Sequence, residues 1–131
     1  MTFLNLIYEN KWYLTQEDNK THQRIYLNTA KAMNALIIEF SYHPSIADEM
    51  TESTGQVNNL VTVSVYCEDE YIGCAHRHEA SQKIILSKNS TKGFKNIMIK
   101  PYSKLEIVLS VHAAYSNAIE VRLSVHEYKE K

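Results

Sequence analysis

Apolar and polar side chains alternate with a period of two along most of this chain, and the alternation predicts strands. In residues 105–112, Leu105, Ile107, Leu109 and Val111 alternate with Glu106, Val108, Ser110 and His112. In residues 119–126, Ile119, Val121, Leu123 and Val125 alternate with Glu120, Arg122, Ser124 and His126. Successive side chains of an extended chain point to opposite faces, so each run has one dry and one wet side. The link between them is short, which predicts a hairpin. In that register Val111 opposes Val121 and Ile107 opposes Val125, while His112 meets Glu120 and Glu106 meets His126 on the wet face.

The same period marks a strand over residues 36–42, where Leu36, Ile38, Phe40 and Tyr42 share a face and Pro44 ends the ladder. Val61, Val63 and Val65 form the inner face of a strand over 60–66, Ile84 and Leu86 of one over 83–87, and Ile25 and Leu27 of one over 24–27. Shorter runs predict an edge strand at 3–8 and further pieces at 11–15 and 94–100. Helical propensity is fair only over 29–35, enough for one or two turns. Residues 16–23 read as a solvated turn. Residues 45–58, acidic and rich in Ser and Thr, read as a long mobile connection. Residues 88–93 form a turn in which Gly93 is free to take a positive φ, and the charged end 129–131 is expected to fray. About eight short strands with almost no helix make an all-β chain, an antiparallel two-sheet β-sandwich of jelly-roll or immunoglobulin-like order. A single domain over 1–131 is expected, since 131 residues can bury a core without staples.

The net charge of -1 is spread without a basic stripe, so no nucleic-acid partner is expected. No apolar run approaches the roughly 18 residues of a membrane span, and the first residues lack the features of a signal peptide. Two cysteines, Cys67 and Cys74, do not make a disulfide framework, so a reducing cytoplasm and free thiols are expected. With only two prolines to blunt strand edges, a homodimer is a reasonable expectation.

The stretch 59–80 concentrates the chemistry. Its first half is the 60–66 strand, and its second half reads as a polar loop carrying Asp69, Cys74, His76, Arg77, His78 and Glu79. Arg77, with five donors, suits a carboxylate or an anionic ligand, with Asp69, His76, His78, Glu79 and the strand-end His112 as polar contacts. The plainer reading is a loop pinned by its own hydrogen bonds. Tyr71, Tyr102 and Tyr115 fall where loops are expected, and aromatic rings there suit a sugar. A competing reading is a small metal-dependent hydrolase, with Cys74, His76 and His78 as ligands, Cys67 or Asp69 completing the shell, and Glu79 as general base. The cysteine–histidine spacing fits no common zinc module, so neither a metal nor a cofactor belongs to the leading reading. Ser-His-Asp spacing, a nucleophile elbow and a glycine-rich phosphate loop are all lacking in the sequence.

Asn59-Leu60-Val61 leading into a strand, an acidic turn, Gly73-Cys74-Ala75-His76-Arg77-His78, a further strand and a Gly93-Phe94 turn follow one another in this order. The series resembles the β-sandwich domain that precedes the catalytic domain in some bacterial PHP-type (polymerase and histidinol phosphatase) phosphoesterases. The likeness runs through roughly residues 24–128, on short motifs. His112 falls at that family's strand-end histidine. A Pro-Gly turn of the family is Lys92-Gly93 here, and its Gly-x-Trp reads Ser103-Lys104-Leu105. The metal-binding catalytic barrel of the family has no counterpart in these residues. The resemblance therefore implies a non-catalytic accessory module that packs against a catalytic domain or chain, or presents a substrate.

Overall fold

The computed structural model describes residues 2–29, 34–45, 59–75 and 80–130. Eight strands account for most of them: β1 (Thr2–Leu14), β2 (His22–Asn28), β3 (Ala35–His43), β4 (Leu60–Cys67), β5 (Glu70–Ala75), β6 (Ser81–Leu86), β7 (Lys104–Ala113) and β8 (Ile119–Glu130). Among the described residues the only helix is a short 3-10 turn, Gln16–Asp18. Thr15 caps it, accepting from the Glu17 N–H while its own N–H donates to the Asp18 carboxylate.

The strands form two four-stranded sheets, ordered β1-β8-β3-β6 and β2-β7-β4-β5, and every pairing is antiparallel. Each sheet inserts a late strand between early ones, and consecutive strands mostly alternate between sheets. That is the order of the eight-stranded jelly roll, and it resolves the two candidate orders against the immunoglobulin-like one. The alternating faces read from the sequence close on each other as expected. Leu36, Ile38, Phe40, Ile84, Ile119, Val121, Leu123 and Val125 from one sheet meet Val61, Val63, Val65, Leu105, Ile107, Leu109 and Val111 from the other, all essentially without solvent contact. Burial of aliphatic side chains on this scale is the main stabilising term of the fold.

The hairpin expected between residues 105–112 and 119–126 does not form. β7 pairs with β2 and β4, whereas β8 pairs with β1 and β3, so the two strands lie in different sheets. Val111 lies beside Val61 and not Val121, and Val125 lies beside Ile38 and not Ile107. The expected pairs of His112 with Glu120 and of Glu106 with His126 are therefore also replaced. Glu106 holds Arg24 at 2.7 Å, and Glu120 pairs with Arg122. The dry faces of β7 and β8 do meet, but across the sandwich.

The link between them is anchored by a buried amide, although Tyr115, Asn117 and Ala118 within it are exposed. Asn59, 2% exposed, donates to the Pro44 carbonyl at 3.0 Å and to Ser116 Oγ at 2.9 Å, and accepts from the Tyr115 N–H at 2.8 Å. One amide thus ties the end of β3, the entry to β4 and the β7–β8 crossover. At the other end of the sandwich, buried Thr29 plays a similar part. Its hydroxyl donates to the Lys100 carbonyl and accepts from the Ser103 N–H, fixing the approach to β7.

Three smaller expectations also change. The runs 3–8 and 11–15 fuse into the single edge strand β1, with a bulge between Leu6 and Tyr8. Residues 94–100 are no strand: Phe94 makes only an isolated bridge to Gly73. The chain end does not fray at Lys129, which pairs with Phe3. The expected helical turn at 29–35 and the connection at 45–58 lie mainly outside the described residues.

Candidate functional site

Within the polar loop singled out in the sequence, residues 70–75 are strand. Glu68 and Asp69 turn, both at positive φ (51° and 65°), forming the two-residue connection of the β4–β5 hairpin. Asp69 is solvent-facing and sits 3.3 Å from Lys104 Nζ, and Glu68 accepts from the Lys104 N–H at 2.6 Å. These contacts pin the hairpin to the start of β7. His112 lies at the far end of β7, with its Nε2 2.8 Å from Thr62 Oγ1. Eight residue steps along β7 separate Lys104 from His112, about 26 Å at the usual rise. The fold therefore does not gather Asp69 and His112 into one pocket. His76, Arg77, His78 and Glu79 lie outside the described residues.

Of the groups in the metal-hydrolase reading, Cys67, Asp69 and Cys74 are described. Among the described residues no three His, Cys, Asp or Glu side chains converge as metal ligands would. Both thiols are free. Burial pushes the Cys67 thiol up, and the neighbouring Glu68 and Glu70 carboxylates raise it further.

A concavity lies elsewhere, on the outer face of the β1-β8-β3-β6 sheet. It is an open groove of about 810 Å³. The register builds its floor in two rows across four strands: Lys11, Arg122, Ser41 and Ser81 in one, and Glu9, Ser124, Glu39 and Lys83 in the other. At standard strand spacing and rise this floor measures about 14 Å by 7 Å. The short Ser41, Ser81 and Ser124 are interleaved with the longer Glu9, Lys11, Glu39, Lys83 and Arg122 across the floor. Arg122 is held by Glu120, whose carboxyl is drawn below its ordinary range chiefly by that hydrogen bond, with Lys11 and His43 adding to the effect. Among the described residues neither Lys11 nor Lys83 has a carboxylate within ion-pair distance. The groove lining thus offers three cations, two carboxylates and several hydroxyls, and Glu120 beside it offsets the charge of Arg122.

A smaller cleft of about 320 Å³ opens between the β5 and β6 edges, where Cys74, Gln82, Lys83, Thr91, Lys92 and Phe94 contribute to its walls. On the outer face of the other sheet, His22 Nδ1 lies 2.9 Å from Ser110 Oγ, next to the Thr62–His112 contact. Among the described residues no carboxylate is hydrogen-bonded to His22, so the serine–histidine contact lacks the third member that orients a catalytic imidazole.

No family model matches the chain, and no curated protein matches it. No helix among the described residues is long and apolar enough to cross a membrane.

Proposed function

We propose that this jelly roll is a non-catalytic binding module and that the groove on its β1-β8-β3-β6 face takes a neutral, polyhydroxylated ligand such as a short carbohydrate. The observation that carries this reading is the groove floor itself. Donors (Lys11, Lys83, Arg122), acceptors (Glu9, Glu39) and two-way hydroxyls (Ser41, Ser81, Ser124) are interleaved at strand spacing. Carbohydrate hydroxyls donate and accept at once, so they match interleaved partners better than a multiply charged anion does. A floor of about 14 Å by 7 Å accommodates two sugar rings. Isothermal titration against a panel of neutral and acidic oligosaccharides tests the reading. A ligand should bind the wild type, and Ser124→Trp, which fills the floor from its central strand, should weaken that binding at least about ten-fold. Absence of binding across the panel, or binding indifferent to Ser124→Trp, overturns it.

A second reading follows from the other half of the same face. There Leu4 (58% exposed) and Leu6 (47% exposed) lie in register with Tyr128 and His126, and Ile37 and Ile85 continue the Leu6 row. Such an apolar end suits a packing partner, and an accessory role beside a PHP-type catalytic domain would use it. Co-elution with such a domain, abolished by Leu6→Asp, is the expected result, and separate elution of the wild type removes the reading. The free thiols fit a reducing compartment such as the cytoplasm.

A further inference from the structure

The four edges of the sandwich are treated unequally. On one side, residues 87–97 strap both exposed edges. Thr91 exchanges hydrogen bonds with Ile85 of β6 through its N–H and its hydroxyl, Lys95 donates to Ile72 of β5, and Phe94 bridges Gly73. On the other side, β1 and β2 are the edge strands and no described segment pairs with the outer edge of either. Trp12 Nε1 reaches Gln23 at 2.8 Å and links the two edges, but it leaves the backbone of β1 uncovered.

The peptide groups that β1 presents outward can be assigned. Tyr42 donates its N–H to the Ala80 carbonyl, so even-numbered residues of β3 aim at β6 and odd-numbered ones, Ser41 included, aim at β8. Ser41 pairs with Arg122, whose peptide groups therefore face β3 and turn away from β1. Lys11, the partner of Arg122 on β1, must point its own N–H and C=O outward. The Lys11 N–H confirms this assignment: it is met at 2.8 Å by the side chain of Asn10 and not by β8. By alternation Glu9 and Tyr13 also face out.

We infer that this edge is a homodimer contact, in which β1 of one copy pairs antiparallel with β1 of a second copy about a two-fold axis at Asn10. The charges select the register. Centred on Asn10, outward-facing Glu9 pairs with Lys11 of the second copy, twice, and each pair exchanges two backbone hydrogen bonds. A register one step away with the same hydrogen-bonding parity puts Glu9 against Glu9, and the step on the other side puts Lys11 against Lys11. Both oppose like charges. On the core side the Asn10 register sets half-buried Tyr8 against half-buried Trp12, again twice, covering aromatic surface that the monomer leaves partly wet. Asn10 releases the Lys11 N–H as the partner strand arrives. The contact is short, so the dimer is weak and concentration-dependent.

Sedimentation equilibrium on the whole chain, from about 1 µM to about 1 mM, tests the contact without any ligand. Wild type is expected to pass from monomer to dimer within this range. Lys11→Glu and Glu9→Lys, each of which sets like charges opposite in the homodimer, should each raise the dissociation constant at least about ten-fold. Their equimolar mixture should recover wild-type association, because one strand then carries two cations and the other two carboxylates. Circular dichroism of each variant is the control for folding, and both positions are exposed in the monomer. A wild type that stays monomeric to the top of the range overturns the proposal. So does a dimer that neither substitution weakens, or a mixture that fails to recover association.

Discussion

Asn59 offers the sharpest test of how this fold is closed. Its side chain is nearly inaccessible and makes three hydrogen bonds, to the Pro44 carbonyl, to Ser116 Oγ and from the Tyr115 N–H. Each such bond contributes about 0.5–1.5 kcal/mol net, and a buried partner left unsatisfied costs at the upper end of that range or beyond. Asn59→Ala strands the Pro44 carbonyl and the Tyr115 N–H together, so a loss of about 3 kcal/mol is expected. With a urea m-value of about 2 kcal/mol/M for a domain of this size, the unfolding midpoint should fall by about 1.5 M. Asn59→Asp keeps the acceptor for Tyr115 and lets Ser116 turn to donate, but it sets a carboxylate against the Pro44 carbonyl. Its loss should be smaller at low pH, where the protonated acid regains a donor, and larger at neutral pH. A drop of under about 0.5 M for Asn59→Ala would show that water or a local shift replaces the amide, and the corner would not be what places β7 and β8 in different sheets.

Two further changes probe the strapped edge and the thiol. A β-carbon added at Gly73 would land on the Gly93 carbonyl oxygen and within 2.8 Å of Phe94 Cα, both backbone positions of the strap. Gly73→Ala should therefore cost about 3 kcal/mol and lower the melting temperature by about 10 °C, and a fall of under about 3 °C would mean that the strap moves aside freely. Cys67, raised by burial and then by Glu68 and Glu70, should stay protonated at neutral pH and react with a disulfide reagent more slowly than a free small thiol, measured in a Cys74→Ser background. The stability it contributes is complete below the ordinary thiol pKa and is lost as pH rises through the elevated one. Rapid stoichiometric labelling at pH 7 would contradict that environment.

The sequence carries which face each strand buries, because burial writes a period of two into Leu36–Tyr42, Val61–Val65 and Ile119–Val125. It carries far less about neighbours. Leu105–Val111 and Ile119–Val125 show the same alternation whether they lie side by side at about 4.8 Å or face each other across a sandwich about 10 Å thick. The short link favours the first, and the second is favoured by Asn59, a polar residue 56 positions before Tyr115 that no local pattern connects to it. The groove is hidden for the same reason. Lys11, Glu39, Lys83 and Arg122 each read as ordinary wet-face positions, and only the order β1-β8-β3-β6 makes them neighbours. The stretch near residue 70 is locally dense in polar and ionisable groups, yet Asp69 is a turn residue beside Lys104.

The edge chemistry of β1 has two sides that belong together. An uncovered strand with alternating apolar residues tends to pair indiscriminately, and charged side chains, bulges and local capping of exposed N–H groups are the usual counters. β1 has all three: Glu9 and Lys11, the irregularity between Leu6 and Tyr8, and the Asn10 side chain on the Lys11 N–H. The bulge limits how far any partner strand can run in register. The two charges, of opposite sign and two residues apart, penalise every nearby antiparallel register except the one that sets each against the other. Parallel in-register pairing fails on the same ground, since it aligns Glu9 with Glu9 and Lys11 with Lys11. Devices that protect the edge from arbitrary strands therefore leave one self-complementary arrangement unopposed, and they do so with residues that also wall the groove.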